Sequence, residues 1–310
     1  MKPRITVVGS VNMDLVLRTA RLPAPGETIA GSAFRTIPGG KGANQAVAAA
    51  RLGAEVHFIG AVGSDDFGRQ LRSGLAADGI GLAHLAAVAA ESTGVAMILV
   101  DAGGQNSIVL SPGANACVGV EQIDAATDLI AGASMLVCQL EIPLPAVTRA
   151  IDRARAAGTA VLLNPAPAVP LKRELLSKVD YLVLNETEAA LLSGVPVVDE
   201  ASAEAVAARL LQQGAGQVLV TLGDKGVVSA SQTAGAVAVH AIPVDVVDTT
   251  AAGDTFVGAF AVAVASGVPA PEAVEYAQHA AALAVTKFGA QSSIPNRVEV
   301  DGFIQTRRRG

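Results

Sequence analysis

A chain of 310 residues, 51% of them hydrophobic and only 16% charged, carries enough apolar material for a large buried core, which excludes a disordered polypeptide. A formal net charge of −6 and an aromatic content of 3%, with no tryptophan, exclude a nucleic-acid-binding surface and an anionic-membrane surface. The longest apolar run, Phe256 to Val268, is too short to cross a bilayer.

In chain order, "ITVVGS" reads as a first buried strand. The preceding residues start like a secretory signal, but Asn12 and Asp14 arrive before a sufficient apolar stretch, so the sequon "NET" at 185–187 is discounted. Residues 13–40 show short alternating strands around "PAPGE", without helical period. "GGKGANQAVAAARLGA" at 39–54 is a glycine turn opening a helix of small residues. A second alternating block at 92–116 turns at "DAGG". These two blocks are expected to form a small β-rich flap, or lid.

From about residue 130 strands and helices alternate. "ASMLVCQLE", "TAVLLNPAP", "VDYLVLNE" and "GQVLVTLGDKG" read as strands, "LPAVTRAIDRARAAG" and "SAEAVAARLLQQGA" as helices, and two long helices close the pattern at roughly 253–266 and 271–287. The expected fold is α/β: one domain over 1–310, a three-layer α/β/α sandwich with a mostly parallel sheet, plus the lid. Cys117 and Cys138 lie in apolar contexts without metal-ligand spacing and read as buried free thiols of a reducing, cytoplasmic setting. The basic cluster Arg307, Arg308 and Arg309 reads as a solvated tail.

Ligands of open α/β sheets sit beyond the carboxyl ends of the strands. Polar residues gather there: Asn12, Asp14, Glu141, Asn164, Asn185, Glu186, Thr221 and Gly223. Asn12 and Asp14, two apart, either grip vicinal hydroxyls or form an Asx turn. Asn44 and Glu141 each serve as a helix cap or as a hydroxyl partner. Asn185 and Glu188 either cap a helix or hold a Mg²⁺ hydration shell. Neither a P-loop nor a dinucleotide fingerprint is present.

"VDTTAAGDTF" at 247–256 leads into the uncharged run. The amides of Ala251, Ala252 and Gly253 precede or form a first helical turn and lack intrahelical partners, so an anion can reach them. Asp254 is either a plain N-cap or the carboxylate that takes a proton from an attacking hydroxyl. With the latter reading the run behind it is a central buried helix aimed at the site. Asp248, Thr250, Gly289 and Ser293 are oxygen-rich loop positions suited to a monovalent cation.

Together these stretches resemble the PfkB family of carbohydrate kinases, in particular its ribokinase branch. "GGKGANQAVAAARLG" and "DTTAAGDTFVGAF" match its two signature regions, and "NMD", "STGVA", "PGANA", "QLE", "NPAPA" and "NETEA" match further features. The resemblance implies ATP-dependent phosphorylation of D-ribose at the 5-hydroxyl, or alternatively of another sugar or nucleoside such as fructose or deoxyribose. It assigns Asn12, Asp14, Gly39, Gly40, Lys41, Gly42, Ala43, Asn44 and Glu141 to the sugar. It assigns Asn185, Thr221, Leu222, Gly223, Asp224, Lys225, Gly226 and Gln278 to ATP, with Gln278 rather than His279 in the register where relatives commonly carry Asn or His. Ala251 to Gly253 become the anion hole, Asp254 the base, and Glu188 a water-mediated Mg²⁺ contact. Asp248, Thr250, Ala284, Lys287, Gly289 and Ser293 match a K⁺ site, several through carbonyl oxygens. The resemblance also implies a homodimer joined through the lid.

Overall fold

A computed structural model describes residues 2–309, with the side chains of Arg308 and Arg309 outside the described set. Strand β1 (Arg4–Val8) enters the interior, and β2 (Asn12–Thr19) and β3 (Gly31–Gly39) pair outside it. Helix α1 (Lys41–Arg51), β4 (Glu55–Gly63), α2 (Asp66–Ala77) and β5 (Gly81–Val88) follow. Strands β6 (Gly94–Val100) and β7 (Asn106–Ser111) return to β2, and Gly113–Cys117 is a 3-10 turn rather than further strand. Next come α3 (Val120–Ala125), α4 (Thr127–Ala131), β8 (Met135–Cys138), α5 (Leu144–Ala157), β9 (Ala160–Leu163) and α6 (Arg173–Leu176). They lead to β10 (Tyr181–Asn185), α7 (Glu186–Ser193), α8 (Glu200–Gln212), β11 (Gln217–Thr221), β12 (Val227–Ser231) and β13 (Gly235–Val239). The chain closes with α9 (Ala252–Ala265), α10 (Ala270–Ala284) and α11 (Arg297–Arg309).

The strands form a nine-stranded sheet in the order β13-β12-β11-β10-β9-β8-β1-β4-β5 and a separate four-stranded sheet in the order β3-β2-β6-β7. In the large sheet only β12 breaks the parallel run, pairing antiparallel with β11 and β13. Its strands read as continuous apolar runs because both faces are covered. Met135 and Val137 enter one core while Leu136 and Cys138, the alternate residues of β8, enter the other. Helices α1, α9 and α10 cover the first face, and α5 and α8 the second, giving the α/β/α layering expected from the alternation.

The missing charges of α9 follow from its place. Residues 254–263 of this helix are all buried. At its crossing with α1, a Cβ added to Gly258 would lie 2.5 Å from the Ala48 Cβ and 2.8 Å from the Gln45 carbonyl oxygen. Small residues therefore let two helices touch nearly backbone to backbone, which fixes both N-termini at one rim.

Three expectations are revised. Asn12 and Asp14 lie within β2, not in a turn after β1, so the Asx-turn alternative falls away. Cys138 is buried, and burial raises its thiol pKa far above the usual value, whereas Cys117 is exposed. The C-terminal arginines continue α11 instead of forming a tail. The Arg307 guanidinium lies 5.0 Å from the Phe303 ring centre, and the side chains of Arg308 and Arg309 fall outside the described residues.

Candidate active site

The site begins where α9 begins. Ala251 has φ 60, a left-handed conformation uncommon for a residue with a side chain, and this turns the chain abruptly into the helix. The Ala252 amide donates to the Thr249 carbonyl oxygen at 3.2 Å. The amide set expected at 251–253 is therefore corrected: Ala252 is spent internally, whereas the amides of Ala251, Gly253 and Asp254 have no protein partner among the described residues. A Cβ added to Gly253 would meet nothing within 4 Å, so this position opens onto free space.

Asp254 does not cap its own helix, since α9 has no side-chain cap bond. The residue is 8% exposed, and its carboxylate is held from α1 instead. Asn44 Nδ2 donates to Oδ2 at 2.9 Å and Gln45 Nε2 to Oδ1 at 3.0 Å. Asn44 Oδ1 stays buried without a partner among the described residues, an acceptor left unsatisfied.

Glycines bring the α1 turn onto its neighbours. Gly40 has φ 90, and a Cβ there would lie 2.7 Å from the Asn12 amide nitrogen. At Gly39 it would lie 2.3 Å from Asp14 Oδ2, and at Gly42 2.6 Å from the Ser10 nitrogen. Ala43 N donates to the Ser10 carbonyl oxygen at 2.9 Å. Glu141 caps α1 rather than the helix that follows it: its Oε2 accepts the Lys41 amide at 3.1 Å and the Ser10 hydroxyl. Asn12 Oδ1 accepts from Asn115 Nδ2 at 2.7 Å, which anchors β2 to the 3-10 turn.

Burial first, and then the charges of Glu141 and Asp254, push the Asp14 carboxyl up to about 7 against the pull of Lys41. Burial likewise raises Glu141 and Glu188. Burial acts to lower the Lys41 ammonium pKa, but Asp254, Glu141, Glu188 and Asp14 outweigh it and raise the net value. The sign of the linkage for Asp14 is fixed by its folded value exceeding the ordinary 3.8. Between the two, the folded chain keeps a proton that the unfolded chain has released, so stability falls as pH rises through that window. Thermal unfolding of the ligand-free protein should therefore show wild type losing ground to Asp14→Asn from about pH 4 to 7. Parallel curves would dismiss the raised carboxyl.

On the other side of Asp254 lies a cavity of about 230 Å³, lined among others by Lys41, Asn185, Glu188, Thr221, Ala251 and Gly253. Asn185 and Glu188 form a reciprocal cap of α7: Asn185 Oδ1 accepts the Glu188 amide at 2.9 Å, and Glu188 Oε2 accepts the Asn185 amide at 3.0 Å. Glu188 Oε1 and Asn185 Nδ2 make no bond within the described residues. The structural cap and a ligand-facing role thus coexist. Beyond Thr221 the chain turns through Leu222–Gly226, with Leu222 N donating to the Gly226 carbonyl oxygen at 2.8 Å. Gly223, Asp224 and Lys225 are exposed on this turn, and Gly226 at φ 109 presses against β13. Gln278 Nε2 donates to the Val239 carbonyl oxygen at 2.8 Å, whereas His279 stacks edgewise on Phe303 of α11. Gln278 is thus the one tied to the end of β13, where the β13–α9 loop begins.

That loop and the one after α10 meet at Asp248. Its Oδ1 accepts the Thr250 amide at 2.9 Å and hydroxyl at 2.6 Å, and its Oδ2 accepts the Gly289 amide at 2.9 Å. Val247 N also donates to the Val285 carbonyl oxygen at 2.8 Å, which ends α10 at Ala284, short of the expected 287. Lys287 turns its ammonium away to Glu299 at 2.6 Å, and Ser293 Oγ donates to the Ala290 carbonyl oxygen at 2.8 Å. A carboxylate, a hydroxyl and turn carbonyls are the hard oxygen donors that suit a large monovalent cation, although Asp248 also feels the positive charge of Arg18.

Reading the sequence overlooked Gln45, Gln139 and Ser10, and placed Asn164 on the rim without a role. The available signal was two adjacent amides, Asn44 and Gln45, inside an otherwise small and apolar helix face.

Bare amides at a buried helix end, a carboxylate held beside them and a lysine facing both are the equipment of phosphoryl transfer to an alcohol. The pattern of the pfkB family carbohydrate kinases matches residues 2–297, and the chain belongs to that family. It is 44% identical to a ribokinase of Haemophilus influenzae, over 98% of this chain and 99% of that one. It is also 44% identical to a ribokinase of Schizosaccharomyces pombe, over 98% of each chain. Among solved structures, Arabidopsis thaliana ribokinase complexed with ribose and ATP superposes with a TM-score of 0.91 at 35% identity, covering 98% of this chain and 99% of that one.

Proposed function

We propose that this protein transfers the γ-phosphoryl group of ATP to the 5-hydroxyl of D-ribose, giving ribose 5-phosphate and ADP. The observation that carries this reading is Asp254: its carboxylate is held by amides of α1, at the edge of a cavity whose wall offers the free amides of Ala251 and Gly253. Asn12, Asp14, Gly39 to Asn44 and Glu141 provide the sugar side, with the Asp14 carboxylate and the unpartnered Asn44 oxygen accepting hydroxyls. Asn185, Thr221 to Gly226 and Gln278 follow the nucleotide.

Asp254 takes the proton of the hydroxyl as its oxygen bonds to the γ-phosphorus. The bond from that phosphorus to the β–γ bridging oxygen breaks and ADP departs with the electron pair. The amides of Ala251, Gly253 and Asp254, with the Lys41 ammonium, hold the negative charge spread over the transferring oxygens. Mg²⁺ would be held through water by Glu188 beside Asn185, neutralising phosphate charge when bound. K⁺ would be held by Asp248 with Thr250, Ala284, Lys287, Gly289 and Ser293, several through carbonyls, stiffening the loop that carries Ala251. The β2-β3-β6-β7 sheet acts as the lid of a single functional domain spanning 1–310. Its exposed Met97, Ile108 and Val109, 57%, 57% and 71% accessible, suit pairing with a second copy. A monomeric mass in solution would remove the dimer. A reducing, ATP-supplied cytoplasm fits the two free thiols; recovery with a periplasmic fraction would contradict it. Among the described residues no helix is long and apolar enough to cross a membrane.

The deciding measurement is ADP release with ribose, Mg²⁺ and ATP, with and without K⁺, beside a panel of fructose, deoxyribose and nucleosides. Ribose should give the highest kcat/KM, and K⁺ should raise it. Another acceptor clearly outrunning ribose would overturn the sugar; no ADP with any acceptor would overturn the reaction.

A further inference from the structure

Beneath Asp254 lies a chain of buried amides whose sense is dictated from a main-chain carbonyl. Asn164 Nδ2 donates to the Val183 carbonyl oxygen at 2.9 Å. Its Oδ1 therefore faces Gln45, whose Nε2 donates to it at 3.0 Å and to Asp254 Oδ1, also at 3.0 Å. The Gln45 oxygen in turn accepts from Gln139 Nε2. An amide has one donor end and one acceptor end, so reversing any link sets donor against donor or acceptor against acceptor. Gln45 and Gln139 are 1% and 0% exposed, so no bulk water relieves such a mismatch. Room for the Gln139 amide exists because residue 9 is glycine: a Cβ there would lie 2.0 Å from Gln139 Oε1.

The two amides on Asp254 are not equivalent. Asn44 has a buried oxygen without a partner, so nothing but the carboxylate and the incoming ligand fixes its sense. Gln45 is fixed by Asn164, whose sense the Val183 carbonyl oxygen sets, whereas Gln139, with its Oε1 buried and unpartnered among the described residues, takes its sense from Gln45. We propose that Gln45, locked by Asn164, is the positioning residue that aims the Asp254 carboxylate at the acceptor hydroxyl. This rests on the reading of Asp254 as the base.

Gln45→Met keeps length and bulk but removes the donor. It should lower kcat about 10- to 100-fold while the KM for ribose stays within about threefold, because the sugar contacts are untouched. Gln45→Glu, nearly isosteric, also removes the donor to Asp254 and should lower kcat at least as far with the KM for ribose again within about threefold; it carries the test if the Met variant fails to fold. An unchanged kcat in either folded variant, or a raised KM at unchanged kcat, overturns the proposal. Asp254→Asn measured alongside separates the two readings. If that variant is inactive while the Gln45 variants behave as wild type, only the positioning role falls; if it turns over, the base assignment itself falls.

Discussion

Asp254→Asn should cut turnover by roughly 10³- to 10⁴-fold, the upper range for a lost general base, while ribose binding survives within a few-fold. The fold should tolerate the change, for a reason visible in the hydrogen bonds. An asparagine at 254 offers one acceptor and one donor where the carboxylate offered two acceptors. Gln45 cannot reverse, so the new amide must turn its oxygen to Gln45 Nε2 and its nitrogen to Asn44. Asn44 can answer that change, because its own Oδ1 is unpartnered and a half-turn of the amide presents it. One end of the Asn44 amide stays unpartnered as in the wild type, now Nδ2, and a sugar hydroxyl can accept from it where it would have donated to Oδ1, so ribose binding is kept and thermal stability should stay near that of wild type. Calorimetric titration with ribose and a coupled ADP assay check the two halves of the statement. Turnover within tenfold of wild type would remove Asp254 from the chemistry and leave the amides of Ala251 and Gly253 as a phosphate rest only.

How far residues alone disclosed this arrangement depended on whether their meaning was local. The alternation of Met135–Cys138 between two cores, and the buried strands beside it, was legible because a strand covered on both faces must be apolar throughout. The uncharged α9 was legible as a central helix for the same reason. Long-range contacts were not. Nothing near Glu141 announces that it caps α1, a hundred residues earlier in the chain, since the donor is a main-chain amide that every residue possesses. Ala252 resembles Ala251 in sequence, yet one amide is spent on Thr249 and the other is free among the described residues, at a turn where Ala251 takes a left-handed φ. Gln45 was hidden because glutamine in a helix is ordinarily a surface residue, and only its contact with Gln139 and Asn164 gives it a role. Cys117 misled in the opposite direction: its apolar neighbours suggested burial, but the 3-10 turn leaves it at the surface.

Gly253→Ala should separate stability from activity in opposite directions. Glycine in a helix costs up to about 1 kcal/mol relative to alanine, less in the first turn, and Gly253 is the second residue of α9. Its φ is not among the positive values of this chain, and a Cβ there meets nothing within 4 Å. The variant should therefore unfold at the same temperature as wild type or slightly higher. The open space that makes the methyl harmless to the fold is the cavity shared with Lys41, Ala251 and Asp254. In the proposed reaction that space belongs to the transferring phosphoryl group, so the methyl displaces it by about the 1 Å that costs in-line transfer some hundredfold. Expected, then, is kcat down by about 10²-fold with thermal stability retained or gained, read by the ADP assay and by calorimetric unfolding. A stable variant with wild-type kcat would mean that the phosphoryl group does not pass this face of the helix end, and the free amides of Ala251 and Gly253 would need another purpose. A destabilised variant would contradict the geometry directly, since it requires a clash where the structure has open space.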